Sequence, residues 1–161
     1  MKKVIWFLLC FFAMNAYSND EVSLTLVGYI SPVCGFTTQN NNLHFSSDGL
    51  ASTKLVINCN SPMRVSMQSE NGGLRHQQST QINAYNLNWS IEDVSSEVSA
   101  TALELKSIYN FDVDEILFNS VAKLQLKLDK PLIYAGSYQD VLRIEMTPSV
   151  VSGGVWSNTN Y

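Results

Sequence analysis

The sequence predicts an all-β sandwich that is one strand short and carries a spare apolar strand at its start. Three observations carry this expectation. Apolar and polar residues alternate in short runs along most of the chain, the pattern of strands with one buried face. Turn residues such as Asn60-Ser61-Pro62 and Asn71-Gly72-Gly73 separate these runs. A spare apolar run at the start, Val22 to Gly28, is matched by a stretch near the end that is too rich in Gly and Ser, and too broken by Pro148, to serve as a central strand.

The first residues set the compartment. Lys2 and Lys3 precede an apolar run from Val4 to Ala13, and Ala16-Tyr17-Ser18 supplies small residues before an expected signal-peptidase cut after Ser18. The run is shorter than the roughly 20 residues of a spanning helix, so residues 1–18 read as an export signal and no membrane span is expected in the mature protein. Cys10 falls in the discarded part, since Phe7-Leu8-Leu9 lacks the small residues of a lipoprotein site. Residues 19–161 remain, 143 in all, which suits one domain with a moderate core. Losing Lys2 and Lys3 moves the formal charge from -4 to -6, and no Lys or Arg cluster exists to neutralise phosphates, so nucleic acid is not an expected partner.

Two cysteines remain, Cys34 and Cys59, and in an oxidising compartment they most simply form one disulfide. Closing a loop of about 25 residues stabilises the fold by roughly 3 to 4 kcal/mol in the chain-entropy model. A metal site would need more ligands than two thiols, and only His44 and His76 are on hand, so neither metal nor cofactor is expected.

In Glu21 to Cys34, Val22, Leu24, Leu26, Gly28 and Ile30 share one face of an extended strand, with Ser23, Thr25 and Ser31 on the other. A free apolar strand needs a groove, in its own molecule or in a neighbour. Further strands are expected over Ile30–Thr38, Lys54–Cys59, Met63–Ser69, Asn83–Ile91, Val121–Leu128 and Asp140–Thr147. The second and third of these, joined by Asn60-Ser61-Pro62, read as a hairpin. Between Glu92 and Asn119 the pattern weakens: Ala102 to Tyr109 suits a short helix or a strand equally. Asp112, Asp114 and Glu115 read as a solvated acidic loop, because they lack the glycine turn and distal glutamate of a calcium loop.

Gly136 and Tyr138 stand just before the last expected strand. A tyrosine there either pins the corner through its hydroxyl, as in immunoglobulin-like sandwiches, or is an ordinary aromatic at a strand start. Six expected strands fall one short of a seven-stranded immunoglobulin-like sandwich, and residues 148–161 form a polar tail in place of the seventh. A missing last strand and a spare first strand are complementary defects if one molecule completes the next.

The Cys34 region, the run Ile57-Asn58-Cys59-Asn60-Ser61-Pro62-Met63-Arg64-Val65-Ser66-Met67, the Asn71-Gly72-Gly73-Leu74 turn and Ala135-Gly136-Ser137-Tyr138-Gln139-Asp140 together resemble the spore coat protein U-like family, which includes pilins of the archaic chaperone-usher pathway. The resemblance covers about Val22 to Met146. It implies an incomplete immunoglobulin-like subunit held by a periplasmic pilus chaperone that lends a strand, then passed to an outer-membrane usher and on to the cell surface. There the strand of a neighbouring pilin subunit would replace the chaperone's. The resemblance assigns the donor residues to Val22, Leu24, Leu26 and Gly28, within residues 19–29, and has the Cys34–Cys59 disulfide tie the first strand to the second.

Catalysis is not expected. The chain has no Gly-x-Ser-x-Gly elbow, no His-Glu-x-x-His and no phosphate-binding glycine loop. The rival to a fibre subunit is a self-contained secreted binding module, with Trp89, Trp156, Tyr109 or Phe111 stacking on a glycan.

Overall fold

In the computed structural model, residues 21–92 and 94–149 are described. Residues 21–30 form a unit of their own with no strand. The rest is an antiparallel β-sandwich without an α-helix among the described residues.

Among the described residues eleven strands run in chain order: β1 (Cys34–Thr38), β2 (Leu50–Cys59), β3 (Met63–Ser69), β4 (Leu74–His76), β5 (Ile82–Asn83), β6 (Tyr85–Ile91), β7 (Glu97–Thr101), β8 (Tyr109–Val113), β9 (Leu117–Leu128), β10 (Tyr138–Gln139) and β11 (Leu142–Pro148). A five-stranded sheet has the order β1-β2-β9-β6-β7, and a three-stranded sheet has the order β11-β3-β8. A small third sheet has the order β10-β4-β5.

Period-two alternation explains which face each strand buries. Tyr85, Leu87, Trp89 and Ile91 of β6 are buried, as are Met63, Val65, Met67 and Ser69 of β3. These faces meet in one core with Leu55 and Ile57 of β2 and Leu124 and Leu126 of β9. Trp89 and Phe111 meet edge to face across it, 6.1 Å apart. That geometry suits the ring quadrupoles. Full burial of Trp89, at 0% exposure, removes it as a glycan-stacking residue, while Tyr109 and Phe111 pack half-buried against the core. Trp156 lies outside the described residues.

Several boundaries differ from expectation for identifiable reasons. The hairpin expected from Lys54–Cys59 and Met63–Ser69 does not form, because β2 pairs with β1 and β9 while β3 pairs with β11 and β8. Both strands carry a mostly apolar inward face, so Asn60-Ser61-Pro62 carries the chain across the core and sets those faces against each other. The strand expected over Asn83–Ile91 is broken at Ala84, and Ala102 to Tyr109 holds a 3-10 turn, Glu104–Lys106, whose Leu105 is buried. Asp112 is part of β8 rather than of a loop, and its carboxylate accepts from Arg64 Nε at 2.8 Å on the outer face. The last strand extends through Pro148, which is tolerated because β11 is an edge strand.

Cys34 and Cys59 are disulfide-bonded and face each other in register across β1 and β2. Thiol titration of the denatured, non-reduced mature protein is expected to find no free thiol, and two reactive thiols would contradict the bond.

Candidate strand-accepting groove

The sandwich is not closed along its whole length. In β3, the middle strand of its sheet, every inward residue is buried, yet the inward residues of β11, Leu142, Ile144, Met146 and Pro148, are only half-buried. The same holds for Cys34, Phe36 and Thr38 of β1. β1 and β11 are edge strands of opposite sheets, and among the described residues nothing pairs with the outer edge of β11. Between them opens a groove of about 950 Å³.

Its floor is core: Leu55 of β2, Leu124 and Leu126 of β9, Leu74 of β4 and Tyr85 of β6. One wall is Phe36 and Thr38 with the following segment, whose Leu43 and Phe45 turn inward. The other is Leu142 and Ile144. A trough with an apolar floor, a rim that includes Asn40, Asn41, Asn42 and His44, and an unpaired strand edge along one side offers hydrogen bonds and alternate side-chain positions to an extended chain.

One end of the groove is polar and tightly tied. Asp140, just before β11, accepts hydrogen bonds at Oδ2 from the Ser69 hydroxyl and from the Tyr85 hydroxyl at 2.8 Å. Its Oδ1 accepts from the backbone N–H of Asn71 at 3.0 Å and of Val141 at 2.9 Å, and from Asn71 Nδ2 at 3.3 Å. Ser69 Oγ in turn accepts the Gly72 N–H at 2.8 Å. One carboxylate thereby joins the end of β3, the turn after it, β6 of the facing sheet and the start of β11.

Burial, and after it the bond to Asp140, pushes the Tyr85 phenol well above its usual value near 10. The folded protein therefore keeps this phenol neutral where the unfolded chain ionises. The associated stability is intact below about pH 10 and lost as pH rises beyond it. The urea midpoint is expected to fall as pH is raised above about 10. Tyr85→Phe should flatten that fall, and an unchanged slope in the variant would assign it to other groups.

Of the residues singled out from sequence, Gly136 and Tyr138 lie on this groove. The Tyr138 hydroxyl donates to the Tyr134 carbonyl at 2.8 Å, four residues upstream, and its ring meets His76 edge to face at 4.8 Å. Gly136 has φ +139° and lies against the His76 ring, where a Cβ would collide. His76 is buried, and its Nε2 lies 3.1 Å from the Ala135 carbonyl oxygen. Val22, Leu24 and Leu26 are 77%, 83% and 94% exposed within the unit 21–30, and Gly28 has open space around it. The export signal expected at residues 1–18 and the tail from Val150 onward lie outside the described residues.

Sequence reasoning did not find the Asp140 cluster. The only signals were that Asp140 directly precedes an alternating run and that Asn71-Gly72-Gly73 follows one, which marks two strand ends without joining them. Among the described residues no three His, Cys, Asp or Glu side chains converge as a metal site.

Fold and groove together define an antiparallel β-sandwich with a groove between the edge strands of its two main sheets. No family model and no curated protein matches the chain.

Proposed function

We propose that the protein is a structural subunit of a surface fimbria, assembled by donor-strand exchange through a chaperone-usher pathway and serving adhesion or biofilm formation. The observation that carries this reading is the apolar groove between β1 and β11, bordered by the unpaired edge of β11. A periplasmic chaperone strand would fill it first, and the run Val22 to Gly28 of a neighbouring subunit would replace that strand after passage through the outer-membrane usher. The alternation Val22, Leu24, Leu26 supplies one apolar face to set against Leu55, Leu124 and Ile144.

Co-expression with a chaperone of this pathway tests the reading. The expected result is low yield of the subunit alone, a soluble chaperone complex on co-expression, and heat-resistant multimers once chaperone is displaced. A stable monomer that purifies without a chaperone and never multimerises would sink it, and would favour the self-contained binding module.

A further inference from the structure

We infer that the outer corner of the five-stranded sheet beside the disulfide is a docking surface for a second copy of this chain, namely the copy that accepts residues 22–28; the inference rests on the donor-strand reading. Val33, Ile116 and Phe118 are 64%, 55% and 66% exposed. Strand register gathers them: Val33 precedes Cys34, Cys34 faces Cys59, and Cys59 faces Leu117, which lies between Ile116 and Phe118. Two strand spacings, about 10 Å, separate Val33 from Phe118. Because Leu117 is buried, Ile116 and Phe118 turn outward on β9 and its lead-in.

The corner is also shaped for contact. Gly35, opposite Asn58, leaves bare backbone, and a Cβ there would meet nothing within 4 Å. Beside it the β2–β9 register slips between Ile57 and Cys59. Asn119 takes φ 53°, and its N–H donates to Asn58 Oδ1 at 2.8 Å. Such a bulge re-aims side chains, and here Phe118 and Asn119 are both exposed while Ser120 returns to the core. Asparagine is one of the few non-glycine residues that tolerate the left-handed region, and here it lets the bulge form beside an aromatic ring held in solvent.

The covalent path names the partner. Asn60 clamps the chain at this corner: its Oδ1 accepts the Val33 N–H at 2.7 Å, its own N–H donates to the Val33 carbonyl at 3.1 Å, and its Nδ2 donates to the Ser31 carbonyl at 3.0 Å. From Gly28 to Ser31 is three residue steps, a reach of at most about 11 Å. A copy that holds Val22 to Gly28 is thus tethered against this corner, at an effective concentration of the order of millimolar, where even a modest apolar contact is occupied. Such a contact sets the angle between successive subunits.

The test places the photo-crosslinking residue p-benzoylphenylalanine at position 118 and irradiates assembled fibres, with crosslinked peptides mapped by mass spectrometry. The expected result is a crosslink joining two copies of this chain. A companion variant, Phe118→Asp, is expected to keep the heat-resistant ladder, because the donor strand is untouched, while fibre persistence length in electron micrographs falls several-fold. Fibres that form normally but crosslink only to another protein, or not at all, overturn the docking surface and leave the fimbrial reading standing. Loss of the chaperone-bound subunit in Phe118→Asp would make Phe118 a folding residue and overturn it too. Absence of multimers from the wild type would instead sink the reading on which it rests.

Discussion

Replacing both Leu24 and Leu26 with Asp is expected to abolish heat-resistant multimers while leaving the chaperone-bound subunit at normal yield. Full burial of Val22, Leu24 and Leu26 would contribute roughly 1.5 to 3 kcal/mol each, about 5 to 9 kcal/mol together before ordering costs. The double change removes most of that gain and sets two carboxylates in an apolar trough, where each must be neutralised or stay desolvated at several kcal/mol. The sandwich core does not contain these residues, so the subunit itself is expected to survive. Gel ladders and the yield of the soluble complex are the readouts. Normal ladders would show that Leu24 and Leu26 are not donor residues, and loss of the complex as well would place them in this molecule's own fold.

Asp140→Ala is expected to destabilise the mature protein by about 3 kcal/mol or more, since it strips the acceptor from a partly buried cluster of donors. The Tyr85 hydroxyl and the Ser69 hydroxyl would lose their shared acceptor inside the sandwich, and the start of β11 would lose its tie to the Asn71 turn. Asp140→Asn keeps the shape and one acceptor oxygen, so its loss should be smaller. Equilibrium urea unfolding of both variants checks the order. Equal midpoints for Asp140→Ala and wild type would mean that water replaces the carboxylate at no cost.

The legible part of the fold was the part written in neighbouring residues. Met63, Val65, Met67 and Tyr85, Leu87, Trp89, Ile91 announce their buried faces because alternation is local; the first strand falls where expected, and the second keeps its expected buried face though it starts at Tyr85. The short β7 was not legible: Val98 and Ala100 offer too little apolar contrast, and its pairing with β6 supplies the order. The false hairpin has a different origin. Two alternating runs joined by a turn read alike whether they pair in one sheet or arch between two, and only the meeting of both apolar faces across the core decides which.

The candidate site divides the same way. From residue types alone the chain specified an all-β sandwich, one disulfide between Cys34 and Cys59, and an apolar alternating stretch in Val22 to Leu26, because composition, thiol count and period-two patterning are properties of short segments. The tertiary structure alone decided that β1 and β11 become the edges of opposite sheets, leaving a groove between Phe36 and Ile144, and that Asp140 meets Tyr85 and Ser69. Those partners lie 55 and 71 residues away along the chain. Contacts of that separation depend on which strands pair, and strand pairing is settled by burying every apolar face at once rather than by any one stretch of sequence.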